Sequence, residues 1–278
     1  SLGIVLKGET IQDLAEDRTI NNLLILLGVD LILLVGLFLI YRNMQKEIKL
    51  AQIKSDFVSN VSHEIRTPLA LISMFAETLE MDRAANEDKK KEYYSIIRHE
   101  SNRLASIVNK ILSFSKMEAG KTDYDLKPEN LTEVVEDILN TYEYHMTSLG
   151  FNCKYLPNGS LPEVRIDKNA VSEAVINLLD NAIKYSDGSK EIAVRLGRED
   201  NGVYVEVQDH GLGISQEDQK YIFDKFYRVP TGSVHNTKGT GLGLTLVSSI
   251  MKAHGGSVVL KSQPGKGSTF RLVFPLSK

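Results

Sequence analysis

The run LLILLGVDLILLVGLFLIY, Leu23 to Tyr41, constrains the fold before any other feature, because it is apolar throughout except for Asp30. At about 1.5 Å of rise per residue such a helix is long enough to cross the hydrocarbon core of a bilayer. A buried helix of a soluble core normally keeps a polar face, and this segment has none. A secretory signal has a shorter apolar stretch ending at a small-residue cleavage site, which LIYRNMQKE does not resemble. The segment therefore reads as a transmembrane helix. Arg42, Lys46, Lys49 and Lys54 follow it, whereas Glu9, Asp13, Glu16 and Asp17 outweigh Lys7 and Arg18 before it, so the C-terminal bulk is expected in the cytoplasm. Asp30 at mid-depth either faces a partner helix and carries signal, or is tolerated through local water and a shared proton. A start at Ser1 with only a short outer segment suggests the C-terminal part of a longer protein.

With 278 residues there is room for two domains, or for one domain and extended helices. The net charge of −3 comes from acidic and basic residues interspersed along the chain, so no nucleic-acid partner is expected. The single cysteine, Cys153, has neither a disulfide partner nor a CxxC neighbour and reads as a small, partly buried residue.

Past the membrane segment, residues from Met44 to about Leu79 read as one long helix. Leu50, Ile53, Phe57 and Val61, with Val58 and Ile65, form its apolar seam, and Pro68 is expected to kink it. The polar break MDRAANEDKKKE leads into a second helix, YYSIIRHESNRLASIVNKILSFSKME, striped by Ile97, Leu104, Ile107, Val108, Ile111 and Phe114 and left at Gly120. A hairpin of two amphipathic helices cannot bury both stripes alone, so pairing into a four-helix bundle, and hence a homodimer, is expected. Beyond Gly120 come a capped helix ending at Gly150, a short strand PEVRID, the helix KNAVSEAVINLLDNAIKYS and two strands around Asn201-Gly202. A glycine-bounded helix GLGLTLVSSIMKAHGG and two strands around a Pro-Gly turn complete an α/β sandwich.

Two constellations carry chemistry. In SDFVSNVSHEIRTPLAL, helical spacing puts His63 and Thr67 roughly opposite Val58, Val61 and Ile65, which presents His63 to solvent. Glu64 can accept a proton from one imidazole nitrogen, leaving the other as a neutral nucleophile, and Thr67 can hold a water on the same face. In NLLDNAIKY, Asn177 and Asn181 lie one turn apart where amide oxygens can ligate a hard cation, and Lys184 can meet a phosphate. Asp209 precedes Gly211 and Gly213 in DHGLGI, and Gly239, Gly241 and Gly243 precede a helix in KGTGLGL, where backbone amides can close on phosphate oxygens. There is no GxxxxGK[ST] and no HRD or DFG set, which excludes P-loop NTPases and eukaryotic-type protein kinases.

From about Ser55 to the C-terminus the chain resembles the membrane-bound bacterial sensor histidine kinases of two-component systems. SHEIRTPL resembles their phosphoacceptor box, NLLDNAIKY the N box, DHGLGI the first glycine box, IFDKFYRV the F box and KGTGLGLTL the second glycine box, in the family's order. The resemblance implies that His63 accepts the γ-phosphoryl group of ATP, that Glu64 assists as base, and that Thr67 positions water in a reverse phosphatase reaction. It further implies that Asn181, with Asn177 nearby, holds Mg²⁺, that Lys184 and Arg228 meet phosphates, that Tyr185 lies against the nucleotide and that Asp209 binds the adenine amino group. Gly211, Gly213, Gly239, Thr240, Gly241, Leu242 and Gly243 would shape the pocket and its lid. His210 stands where the family often has asparagine and reads as an exposed loop residue; His99, His145, His235 and His254 match no motif. Phe223 and Phe226 are either lid residues or core.

The implied division is an extracytoplasmic remnant over 1–22, a transmembrane helix over 23–41 and a juxtamembrane linker over 42–54. A dimerisation and phosphoacceptor hairpin follows over 55–120, then an ATP-binding sandwich of the gyrase-like type over 121–278. The implied partner is a response regulator, docking near His63 at positions such as Leu69, Ile72 and Leu104, and the implied location is the bacterial cytoplasmic membrane. Gyrase-like ATPases carry a water-activating glutamate where this chain has Asn177, which favours transfer to His63 over an ATPase clamp. A signalling scaffold that binds nucleotide without transferring it is the other alternative, and the intact His63, Glu64, Asn181 and Asp209 count against it.

Overall fold

The computed structural model describes residues 11–276 apart from 187, 200–201 and 230–240, with side chains from Asn22 onward. It divides into two compact units, Ser1–Ser55 and Asp56–Lys278. Helix α1 (Ile11–Glu80) supplies the whole described part of the first unit. Its most apolar window has a mean hydropathy of 3.0 with none of it buried, and among the described residues it is the one helix long and apolar enough to cross a membrane. The acidic side chains expected to precede the span lie outside the described residues.

In the second unit the rest of α1 pairs with α2 (Glu87–Glu118) as an antiparallel hairpin. Three contacts set its register: Phe75 against Tyr93 with ring centroids 4.8 Å apart, Glu64 bonded to Arg103, and Phe57 against Phe114. The helix continues through Pro68, which is buried, so packing in the hairpin holds it across the missing donor. α2 starts earlier than the polarity of EDKKKE suggests. The Asn86 side chain accepts from the Lys89 amide at 2.8 Å, and Glu87 and Asp88 lie in the positive first turn, so capping rather than apolar periodicity decides the boundary. Leu50 and Val58, both assigned to the apolar seam, are 63% and 55% exposed in the single protomer.

The α/β domain begins with β1 (Lys127–Glu129), which pairs antiparallel with β3 (Val164–Ile166). The main sheet is ordered β2-β4-β5-β7-β6, from β2 (Asn152–Leu156), β4 (Glu191–Glu199), β5 (Gly202–Asp209), β6 (Ser257–Gln263) and β7 (Gly267–Pro275). Among the described strands of this sheet only the β2–β4 pair is parallel. The hairpins expected around Gly202 and around the Pro-Gly turn are present, with Asn201 itself outside the described residues. β1 and β2 escape a reading by periodicity because each is short and gains its ladder from a distant partner.

Alternation along β5 sorts the two faces of the sheet. Val203, Val205 and Val207 enter the core with Val134 and Ile138 of α3 (Leu131–Ser148), Val171 and Leu178 of α4 (Lys168–Tyr185), and Leu246 and Val247 of α5 (Gly243–Ala253). On the other face Glu206 takes bonds from Arg195 at 3.1 Å and Arg271 at 2.7 Å, a charged pairing that keeps that face polar. α4 is aligned at its start: Asp167 Oδ1 caps the Asn169 and Ala170 amides, while the Asp167 N–H donates to His254 Nε2 at 2.9 Å. His254 is therefore a buried structural link between the start of α4 and the end of α5.

Candidate functional site

One face of α4 and the loops at the ends of β5 and before α5 enclose a cavity of about 360 Å³. That volume lies in the range of small-molecule sites. Asn177, Asn181, Lys184 and Tyr185 reach it from α4 because positions three, four and seven apart share a helix face. Asp209 enters at the end of β5, Gly213 just after it, Arg228 from the F box, and Gly241 and Gly243 at the start of α5. Gly211 and Leu242 stand behind this wall: Leu242 is buried at the α5 N-terminus, and a Cβ on Gly211 would lie 2.1 Å from the Tyr185 carbonyl oxygen. Gly239 and Thr240 lie outside the described residues, as does His235.

Asp209 is buried, and its Oδ1 accepts from the Gly211 amide at 2.9 Å and the Ser268 amide at 3.1 Å. Burial pushes its pKa up, partly offset by those two amides. Both bonds use Oδ1, so Oδ2 is the oxygen left to receive a donor from a ligand. Gly213 has φ +66° and a Cβ there would fall 1.9 Å from the Gln263 carbonyl oxygen, so only glycine permits this close approach of two turns. The apolar lining comes from Ile214, Ile222, Leu244 and Phe270. A flat, weakly polar ring with an exocyclic donor suits Asp209 and this apolar lining, and an anion suits Lys184 and Arg228, which line the same cavity.

The Asn177 Nδ2 donates to the Glu173 carbonyl at 2.9 Å, while its Oδ1 lies toward Gly243. No group of three or more His, Cys, Asp or Glu suitable for a metal occurs among the described residues. Asn177 and Asn181 line the cavity with amide oxygens, hard donors that suit a cation taking most of its ligands from phosphate and water, as Mg²⁺ does.

Two further wall residues, Asp180 and Lys110, are not among the site residues expected from the sequence. Asp180 lies inside NLLDNAIKY and accepts from the Tyr142 hydroxyl and, at 2.9 Å, from Lys110 Nζ. Burial first, and then Asp180, push the Tyr142 pKa well up. The position of Asp180, three residues beyond Asn177, makes it findable from helical spacing. Lys110 comes from α2, and only the tertiary arrangement brings it to the cavity.

The F box divides its two phenylalanines. Phe223 packs edge-on against Phe270 at 6.4 Å and belongs to the core of the α/β domain. Phe226, at φ +66°, instead sits 4.3 Å from the Phe57 ring and 5.1 Å from Phe114, so it seats the domain on the hairpin. Lys225 to Glu118 at 2.6 Å adds a second contact there. Tyr227, bonded to Asp218 at 2.7 Å, has its pKa pushed up to about 12 by burial and by that carboxylate.

On the hairpin, His63 is exposed, and none of the side-chain hydrogen bonds among the described residues ends on its ring. The Thr67 hydroxyl donates to the His63 carbonyl at 3.2 Å and keeps its lone pairs for water. Glu64 does not bond His63; it accepts from Arg103 Nη2 at 2.8 Å. Lys110 lies seven residues beyond Arg103, about 10 Å along α2. The cavity wall at Lys110 and the Glu64–Arg103 pair beside His63 therefore sit at different levels of the hairpin.

Comparison with known proteins gives two successive matches. Residues 53–120 match the family described as His Kinase A (phospho-acceptor) domain, and residues 166–278 the family described as histidine kinase-, DNA gyrase B-, and HSP90-like ATPase. The chain is 36% identical to Drug sensory protein A of Synechocystis over 84% of its own length and 37% of that protein's. It is 32% identical to Sensor protein RprX of Bacteroides fragilis, over 89% of this chain and 48% of that one. Sensor protein SrrB of Staphylococcus aureus is also 32% identical, over 86% and 41%. The chain thus spans less than half of each of these relatives. Its fold matches that of the Acinetobacter baumannii histidine kinase AdeS with a TM-score of 0.59 at 21% identity, over 78% of this chain and 98% of that one. Histidine kinase ThkA, solved with response regulator protein TrrA, gives 0.58 at 23% identity, over 85% and 66%.

Proposed function

The chain belongs to the bacterial two-component sensor histidine kinases, and from that membership we propose that it transfers the γ-phosphoryl group of ATP to His63 and then to an aspartate of a response regulator. The observation that carries this reading is the convergence of Asn177, Asn181, Lys184, Tyr185, Asp209 and Arg228 on one cavity, in the same unit as an exposed His63. A neutral His63 nitrogen attacks the γ-phosphorus; the N–P bond forms as the bond to the bridging oxygen of ADP breaks, and ADP leaves with both electrons of that bond. Glu64 takes the proton from the other ring nitrogen. Asp209 Oδ2 receives the adenine amino group, Tyr185 lies against the nucleotide, and Lys184 and Arg228 hold phosphate oxygens. Asn181, with Asn177, would hold Mg²⁺, which when bound neutralises charge on the β- and γ-phosphates.

In the second step the N–P bond breaks as a regulator carboxylate oxygen bonds to phosphorus. Thr67 orients water for the reverse phosphatase reaction. Leu69 is the exposed member of the docking positions expected near His63, with Ile72 and Leu104 half-buried. The division into 1–22, 23–41, 42–54, 55–120 and 121–278 belongs to the same proposal, as does membrane embedding through residues 23–41, which the unburied apolar surface of α1 supports.

The test uses the full chain in lipid vesicles with γ-phosphate-labelled ATP and Mg²⁺, beside His63→Gln and Asn181→Ala. Acid-labile, alkali-stable label on the parent and on neither variant is expected. Tight ATP binding without label would overturn the reading in favour of a scaffold, and steady ATP turnover by His63→Gln in favour of an ATPase clamp.

A further inference from the structure

A triad of charges, with Glu100 buried and Glu64 and Arg103 half-buried, lies beside the proposed phosphoacceptor. Arg103 Nη2 bonds Glu64 Oε2 at 2.8 Å, and its other terminal nitrogen, Nη1, stands 3.5 Å from Glu100 Oε2. Glu100 is one turn before Arg103 on α2 and is 9% exposed. Its Oε2 is buried and receives no hydrogen bond. A buried carboxylate oxygen without a donor is costly, and one guanidinium fork lies within a small side-chain rotation of it. One cation is shared by two acidic groups: it hydrogen-bonds Glu64 and stands only within ion-pair distance of Glu100.

We propose that Arg103 is a two-position positioning residue that controls whether Glu64 is available to His63. In the arrangement seen here Arg103 occupies Glu64, and His63 stands exposed without its expected partner. Moving the fork to Glu100 gives that oxygen its missing donor and releases the Glu64 carboxylate toward the imidazole beside it. The two positions exchange one charge-assisted bond for another, so they are close in energy and a small shift between α1 and α2 is enough to choose between them. The inference rests on the assignment of Glu64 as the base in the phosphorylation of His63. It assigns to Arg103 and Glu100, neither of which lies in a motif, a role acting through Glu64.

The test compares initial autophosphorylation rates of the full chain in lipid vesicles for the parent, Glu100→Gln, Arg103→Ala and the double variant. Glu100→Gln weakens the alternative seat for the fork, so the rate falls by about three- to tenfold while KM for ATP stays at the parent value, because the triad is remote from the cavity. Removing Arg103 frees Glu64 and raises the rate by about the same factor. Arg103→Ala alone leaves Glu100 buried without a cation, so the double variant, which is neutral there, keeps the question answerable if the single variant does not fold. The double variant labels faster than the parent, and Glu100→Gln has no effect once Arg103 is gone. A Glu100→Gln rate equal to the parent's, or a double variant as slow as Glu100→Gln, would overturn the toggle. Absence of label on the parent would instead overturn the kinase reading beneath it.

Discussion

At the residue scale, Asp209 sets a stability cost against the adenine contact proposed for it. Its carboxyl is buried and its pKa is raised. A carboxyl shifted upward favours folding in its protonated form. That contribution is complete below the ordinary value of 3.8 and lost as pH rises through the raised one, so the ionised group costs stability at neutral pH. Asp209→Asn keeps an oxygen for the Gly211 and Ser268 amides and removes the charge. Its Tm at pH 7 is expected to equal or exceed the parent's, with the gap closing as pH falls. ATP affinity should drop on the order of tenfold to hundredfold, since an amide NH₂ would then face the adenine amino group. Thermal melts and calorimetric titration across pH check both, and a lower Tm at neutral pH would contradict the account.

At the scale of elements, the F box adds an aromatic contact to the Lys110–Asp180 ion pair in joining the α/β domain to the hairpin. Phe226 takes a backbone conformation uncommon for a non-glycine residue, and its ring packs against both Phe57 and Phe114. Ring pairs of this kind contribute about 0.5–1.5 kcal/mol each beyond buried area. Phe226→Ala should therefore weaken docking by about 1–3 kcal/mol for the two pairs. Hydrogen exchange is expected to quicken in residues 222–229 and in the end of α2 while β5 keeps its protection. Equal loss of protection in β5 would mean that the ring supports the α/β core instead. The same contacts explain why the role of Phe226 is not legible locally: Phe223 and Phe226 have the same chemistry three residues apart, and only their distant partners differ.

For the whole molecule, the hairpin leaves apolar side chains in water. Val58, Val108 and Leu112 are all exposed in one protomer, and the antiparallel register brings Val58 and Leu112 to the same level. The phosphoacceptor-domain match implies dimerisation, which would cover such a face. Leu112→Glu should convert a dimer of the full chain in detergent into a monomer by sedimentation, whereas Leu149→Glu, an exposed position at the end of α3, should leave it dimeric. A dimer that survives Leu112→Glu would exclude this face.

Local order in the chain determined the membrane-length helix, the amphipathic hairpin, the outward placing of His63 and the one-face spacing of Asn177, Asn181 and Lys184, because each depends on helical periodicity or on glycine and capping chemistry within a few residues. Other features were decided only in three dimensions. Lys110 reaches Asp180 across 70 positions of sequence, and Arg103 reaches Glu64 across 39. Phe226 leaves its own domain for the hairpin, and β1 and β2 become strands only because β3 and β4 are there to pair with them. The physical reason is common to all four: a charge, a ring or a short unpaired strand has no preferred neighbour until the hydrophobic core has folded and set which distant groups come within reach.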